Sequence, residues 1–400
     1  MTAAGRGRPR IPVAPDGDRL VYDLDGIRAQ YAELRAELPD AVVRFAMKAA
    51  PSDEILRTLG AAGAGVDAAG PQELRQALRA GISVEATHYG NTVKSDTDIA
   101  DAYALGVRTF ATDSVQDVRA LARHAPGARV FCRLAVDGEG ALWGLKHKFG
   151  CSAADTVHIL RTARRLGLVP SGLSVHVGSQ QMDADAWHRA FERLSAVMIT
   201  LEEHGIVLDH VNLGGGLPAR GYLDSGGVPL DPPLDKIFAT LREGIEGLRA
   251  VHGEHLRLVM EPGRSLVADH GTIHARVVRL TRRQMPDGSS QHWLYLSCGK
   301  FNGLYEMDAI QYRLRFPAGP AGPLVPAVVA GPTCDSDDAY PHDRGLVRVP
   351  EGLASGDPVE VLACGAYALS YTTRGFNGFM PLPVVFTGGP PDRGEPGKAP

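Results

Sequence analysis

From about residue 20 to about residue 270, the chain alternates short apolar runs with stretches whose apolar residues recur every three or four positions. The apolar runs fall at residues 42–50, 65–69, 86–89, 109–112, 129–134, 172–177, 210–213 and 257–261, and they predict strands. Helical spacing begins with Ile27, Tyr31, Leu34 and Leu38. It returns around Ile55 to Leu59, around Leu74 to Leu78, and at 115–122, 157–166, 187–204 and 234–251. Asp113-Ser114 stands where an N-cap is needed. This alternation argues for parallel strands joined by helices. About eight such units in roughly 250 residues suit a closed (β/α)8 barrel better than an open doubly wound sheet. A G-x-G-x-x-G turn of the dinucleotide-binding kind is missing.

After about residue 270 the pattern changes. Short β-forming segments at 272–280, 292–296, 324–330, 358–363 and 384–386 are separated by Gly and Pro clusters, as in an all-β domain. The fold expectation is therefore α/β plus β: a TIM barrel over 36–270 and a β-sandwich or β-barrel domain over 271–387. Residues 19–35, around Tyr22, are expected to join the second domain. Residues 1–18 are read as a flexible N-terminus and 388–400, dense in Gly and Pro, as a disordered tail.

Composition narrows the function classes. Of 400 residues, 44% are hydrophobic and 22% charged, which suits a globular protein with a sizeable core. A net charge of -4 gives no electrostatic case for nucleic acid or an anionic membrane as partner. Five cysteines (Cys132, Cys151, Cys298, Cys334, Cys364) form neither a disulfide framework nor a zinc pattern. They read as reduced thiols in a cytoplasmic chain, with no metal site expected. Residues 1–15 are rich in Arg and Pro without the apolar centre of a secretion signal, and no apolar run is long enough to span a bilayer.

In a barrel of this kind, functional side chains come from the C-terminal ends of the strands. Lys48, Asp67, His88, Arg133, His176, Gly214-Gly215-Gly216 and Glu261 all fall there. Each alone has an ordinary role: a snorkelling lysine, a capping Asp, a satisfied His, a glycine turn. Together they support a sharper reading. Lys48 is then an amine with its pKa lowered by burial, ready to form a Schiff base with an aldehyde cofactor. Gly214 to Gly216 expose successive backbone N–H groups as an anion cradle, and Glu261-Pro262-Gly263-Arg264 offers a second one. Glu261 suits a cationic ring nitrogen, His176 a flat ring, and the Ser179 hydroxyl a phosphate.

The set resembles the fold-type III pyridoxal-phosphate decarboxylases, the ornithine/diaminopimelate/arginine decarboxylase superfamily, with the ornithine decarboxylase branch most similar. The resemblance runs over about residues 18 to 388. It is carried by Ala46-Met47-Lys48, Val66-Asp67-Ala68-Ala69, Lys148-Phe149-Gly150, His176-Val177-Gly178-Ser179, Gly214-Gly215-Gly216 and Glu261-Pro262-Gly263-Arg264. The β region adds Gly331-Pro332-Thr333-Cys334-Asp335, Gly365-Ala366-Tyr367 and Phe376-Asn377-Gly378-Phe379. The Cys334 and Phe376 motifs point away from alanine racemases, which share the barrel. Intact Lys48 and Cys334 argue against a non-catalytic regulatory homologue.

The resemblance implies pyridoxal 5'-phosphate as cofactor, anchored covalently on Lys48, with His176 stacked on its ring and Glu261 paired with its nitrogen. It implies Gly214, Gly215, Gly216, Ser179, Gly263, Arg264 and Tyr367 around the phosphate. Asp67 and Arg133 would orient Lys48 and Glu261. Cys334 would act as an acid and Asp335 as a substrate ligand, both in the neighbouring subunit's site of a homodimer. Phe376 and one of Glu306 or Asp308 would complete the substrate site. The implied reaction is decarboxylation of a basic L-amino acid, ornithine to putrescine or lysine, in polyamine biosynthesis, with diaminopimelate as the alternative. The chain departs from the family pattern at Ala50, Gly70, His147 and Arg374, and in the segment Gly303 to Asp308.

Overall fold

The computed structural model of the protein describes residues 17–144, 148–319, 322–341 and 344–389. The expectations for the first fifteen residues, for His147 and for most of the tail lie outside them. Eight parallel strands close a barrel: Val42–Ala46, Gly65–Ala68, Thr87–Tyr89, Thr109–Thr112, Arg129–Arg133, Val169–Ser174, His210–Asn212 and Arg257–Met260. The last strand returns to the first, with Val259 opposite Val42 and Met260 opposite Val43. Val43, Phe45, Val66, Phe110, Val130, Leu173, Val211 and Leu258 are buried in it. A parallel strand covered on both faces needs a nearly continuous apolar run, which is why these segments stood out as runs rather than alternations.

The helices that follow the first seven strands are Asp53–Ala61, Pro71–Arg79, Asp96–Ala104, Val115–His124, Ala153–Arg165, Asp185–Glu203 and Leu234–His252. Ser52, Ser95, Ser114 and Ser152 cap four of them by accepting a backbone N–H of the first turn. The helix Asp96–Ala104 escaped the sequence reading. It buries only Ile99 and Ala102, too few apolar residues to show a period, and its capping box of Ser95 and Asp98 was its one strong signal. Among the described residues no helix is long and apolar enough to cross a membrane.

Two strand ends differ from expectation. The run at 42–50 stops as a strand at Ala46, and Met47–Ala49 form a single 3-10 turn carrying Lys48. The turn is closed by Ala50 N–H donating to Met47 and held from outside by Tyr367 N–H donating to Ala49, 2.7 Å. The strand expected at 172–177 is instead Val169–Ser174, in register with Arg129–Arg133 and His210–Asn212, so His176 lies beyond it. Beyond these ends, Ala141–Trp143 and Ser179–Gln181 pair as a small antiparallel ribbon over the barrel mouth.

The second domain is one continuous mixed sheet, in the order Leu314–Arg315, Pro358–Val361, Gly271–Gln284, Ser290–Leu296, Leu324–Ala330, Val347–Pro350. Arg19–Asp23 joins it antiparallel to Gly271–Gln284 and parallel to Val384–Thr387, so the first and last strands of the described residues are neighbours in this sheet. The helix Leu24–Glu37 then leads from that strand to the barrel. Gly365 lets the two domains approach closely. A Cβ there would fall 1.7 Å from the Val267 carbonyl oxygen, while the Gly365 carbonyl accepts from Tyr22 Oη at 2.8 Å. That closeness brings Tyr367 down onto the lysine turn.

Candidate active site

The C-terminal mouth of the barrel holds a cavity of about 970 Å³, a volume that includes the solvent space at its opening. Lys48, Asp67, Arg133, His176, Ser179, Gly215, Gly216, Glu261, Gly263, Arg264 and Tyr367 line it, together with Glu73 and Phe149. Gly214 stands immediately behind, where φ is +64° and a Cβ would press on the Val175 carbonyl at 2.6 Å. These residues come from most of the barrel strands and one β-domain loop, so only closure of the barrel brings them together.

Lys48 corrects one expectation. Burial acts to lower its pKa, but Tyr367, Asp67 and Glu261 act more strongly, and the amine is held above the usual lysine value. Burial is legible in the apolar run around Lys48, whereas the groups that face its amine across the cavity come from remote parts of the chain.

Glu261 is the centre of a polar cluster. Its Oε1 accepts from Asn212 Nδ2 and lies 2.8 Å from His88 Nε2. The same His88 nitrogen is 3.2 Å from Asp67 Oδ1. Neither His88 contact has the alignment of a hydrogen bond, so the attraction is that of opposite charges. Burial acts to raise the Glu261 pKa, yet His88, Asn212 and Lys48 bring it well below the carboxylate range. For His88, burial acts downward and the two carboxylates outweigh it, so its pKa is raised. Asn212 also accepts Gly214 N–H at 2.8 Å through Oδ1, tying the carboxylate to the glycine turn. Arg133, expected beside Glu261, has its guanidinium over the Phe149 ring at 5.0 Å.

His176 presents a neutral ring. Burial, then the charges of Arg133 and Lys48, push its pKa down to about 3. Its Nδ1 is buried with no hydrogen-bond partner. Next to it, Gly215 leaves room that a Cβ would fill at 2.9 Å from the Glu261 carbonyl oxygen. A Cβ at Gly216, where φ is +101°, would meet the Gly178 carbonyl oxygen at 2.8 Å. A flat neutral ring, an exposed glycine backbone, a carboxylate and an amine form the donor set that a phosphorylated pyridine aldehyde requires. The residues fit that group.

Three contributors were missed in the sequence. Asn212 ends its strand as an isolated polar residue, and that position was its signal. Glu73 accepts Ala69 N–H at 2.6 Å, and its place in the first turn after Gly70-Pro71 could have marked it. Trp143, on the ribbon, lies over the Arg264 guanidinium at 4.1 Å.

The remaining predicted residues lie outside the cavity lining. Cys334 is exposed, with its N–H donating to Asn377 Oδ1 at 3.0 Å and its Sγ 3.3 Å from the same oxygen. Asp335 and Phe376 are exposed in the same region, with the Phe376 ring 4.5 Å from Phe301. Glu306, one of the two acids expected to meet substrate, is buried against Arg264 instead, and Asp308 is ion-paired with Lys300 at 2.6 Å on the surface.

Residues 24–268 match the family model for "Pyridoxal-dependent decarboxylase, pyridoxal binding domain". The chain belongs to this family of pyridoxal-dependent decarboxylases. It is 30% identical to a lysine/ornithine decarboxylase of Selenomonas ruminantium over 92% of this chain and 88% of that protein. It is 27% identical to a diaminopimelate decarboxylase of Zymomonas mobilis over 84% and 79% of the two lengths. Among solved structures it is similar to a lysine/ornithine decarboxylase from Vibrio vulnificus complexed with putrescine, with a TM-score of 0.79 and 29% identity over 93% and 94%. The protein is thus a carboxy-lyase of the basic amino-acid branch that uses pyridoxal phosphate. In this decarboxylase the barrel supplies most of the cavity around Lys48, and the β domain adds Tyr367 to its lining while the Cys334 and Phe376 motifs lie outside that lining.

Proposed function

We propose that the protein decarboxylates L-ornithine to putrescine, accepts L-lysine, and works as a cytoplasmic homodimer with active sites at the subunit interface. The observation that carries this reading is the separation of Cys334, Asp335 and Phe376 from the cavity around Lys48. Residues that a family motif assigns to the reaction, yet exposed and outside the cavity lining, suit a pocket completed by a second copy.

Pyridoxal phosphate, when bound, supplies a sink for the electron pair left as CO2 departs. Lys48 would offer the amine that anchors its aldehyde, and Glu261 would favour the protonated form of its ring nitrogen. The neutral His176 ring would pack against the cofactor. Backbone N–H groups at Gly215 and Gly216, next to the Gly214 turn that Asn212 holds, would take its phosphate, with Ser179, Arg264 and Tyr367 around them. Asp67 holds the charge of Lys48. Cys334 of the neighbouring copy gives a proton to the Cα that has lost CO2, so one carboxylate leaves as CO2 and one hydrogen replaces it. Asp335 pairs with the ammonium at the far end of the substrate. With Glu306 and Asp308 both paired within the chain, Asp335 is the acid left for that task.

A diaminopimelate substrate is the second reading. Arg374 is exposed two residues before Phe376, where it can meet a distal carboxylate. Competition among L-ornithine, L-lysine, L-arginine and meso-diaminopimelate, followed as CO2 release, separates the readings. Ornithine or lysine is expected to win, with at least about tenfold lost in Asp335→Asn, the equivalent of roughly 1.4 kcal/mol. A preference for diaminopimelate that disappears in Arg374→Ala overturns the ornithine reading.

A further inference from the structure

Among the buried titratable groups in contact with residues of the cavity, His88 has no role in the reading above. Its side chain is 3% exposed, at the C-terminal half of the short strand Thr87–Tyr89, with the Phe131 ring 5.2 Å away. One nitrogen, Nε2, faces two carboxylates on different strand ends, Glu261 at 2.8 Å and Asp67 at 3.2 Å. One ligand atom from each of the three residues lies within 4.8 Å of the others. Two carboxylates so close, 14% and 16% exposed, repel, and a cation between them offsets that repulsion. Both protein contacts on Glu261 fall on Oε1, and among the described residues Oε2 has no partner. Gly90, two residues after His88, keeps the space beside Asp67 open, since a Cβ there would collide with Asp67 Oδ1 at 1.9 Å.

We propose that His88 is a positioning residue that bridges Asp67 and Glu261 as a cation, keeping Glu261 ionised and its Oε2 free for the cofactor's ring nitrogen. This rests on the reading that Glu261 meets that nitrogen. His88 touches neither cofactor nor substrate and acts through Glu261. Its charge sits between the two carboxylates and lets Glu261 remain an anion facing the ring, with Asn212 donating to the same Oε1 and fixing the carboxylate's orientation. A neutral residue at 88 removes the charge in contact with both acids and leaves Lys48, Arg44 and Arg133 to balance them, so Glu261 holds a proton more readily and favours a protonated ring less.

The test loads wild type, His88→Leu, His88→Gln and Glu261→Gln with pyridoxal phosphate carrying 15N in the ring, and reads the nitrogen's chemical shift, cofactor affinity, kcat and KM. In His88→Leu the ring signal is expected to move toward the unprotonated position, with kcat down at least about tenfold, the equivalent of one pKa unit on that nitrogen. KM is expected to change far less. His88→Gln, which donates without charge, is expected to fall between, and it carries the test if His88→Leu does not fold. An unmoved signal and kcat in the histidine variants, with a moved signal in Glu261→Gln, removes His88 alone. A signal unmoved in Glu261→Gln as well removes the reading of Glu261 and this inference with it.

Discussion

Both carboxylate oxygens of Glu306 accept from the Arg264 guanidinium, at 2.5 and 2.6 Å, with the two side chains 7% and 4% exposed. Arg264 also donates from Nε to Ser179 Oγ at 3.1 Å and from Nη1 to Tyr222 Oη at 3.0 Å. Four of the five guanidinium N–H groups are therefore spent within the protein, which leaves one for a phosphate. Trp143 and Tyr367 cover its faces at 4.1 and 4.8 Å. The arginine is fixed in place, and its charge is balanced by an acid the sequence had offered to the substrate.

Removing one partner of such a pair strands the other charge. Glu306→Leu is expected to lower unfolding free energy by about 3–5 kcal/mol, whereas Glu306→Leu with Arg264→Met costs much less. Denaturant unfolding of the two variants checks this. Equal losses in both would mean that the pair's geometry, not its charge balance, dominates.

Lys48 is expected to be the single covalent anchor. Borohydride reduction of the loaded enzyme should add one cofactor mass to the wild-type chain and none to Lys48→Ala, read by intact mass spectrometry. An adduct in the variant would assign the anchor to another lysine.

Shared sites predict complementation. Lys48→Ala and Cys334→Ala are each expected to be nearly inactive, and randomly mixed equal amounts should recover about a quarter of wild-type activity. Half the dimers are then mixed, and each mixed dimer keeps one intact site of two. Mixed dimers without recovery would show that each copy uses its own Cys334.

His176 makes stability depend on pH. Its ordinary value of 6.5 is pushed down to about 3, so between these values the unfolded chain binds the proton and the folded chain does not. The stabilisation from its neutral ring is complete above about pH 6.5 and is lost as pH falls, by at most about 1.4 kcal/mol per pH unit. His88, shifted upward, acts in the opposite sense: its contribution is complete at low pH and lost as pH rises. Stability measured at about pH 7 and about pH 4.5 should therefore fall less in His176→Phe than in wild type. Identical falls would show that His176 is already charged in the folded protein.

The barrel was legible from the chain alone because a strand buried on both faces must be written as an apolar run, and helices on its outside as a 3.6-residue period. The residues at the strand ends were legible for a related reason. Lys48, Asp67, His176, the Gly214 turn and Glu261 are polar or glycine residues interrupting those runs. The strand Arg19–Asp23 was assigned to the second domain from chain order, and it pairs with Gly271–Gln284.

What each charged group does there was decided only in three dimensions. Lys48, Asp67, His88 and Glu261 are far apart in sequence, and neither the raised amine nor the ionised Glu261 can be read without the distances between them. Glu306 and Asp308 are two residues apart and equal as sequence, yet one is buried on Arg264 and the other lies at the surface with Lys300. Local pattern specifies which residues must be buried and in which element. The partner that a buried charge finds depends on how strands remote in sequence come into register, and that is a property of the closed barrel and of the β domain seated on its mouth.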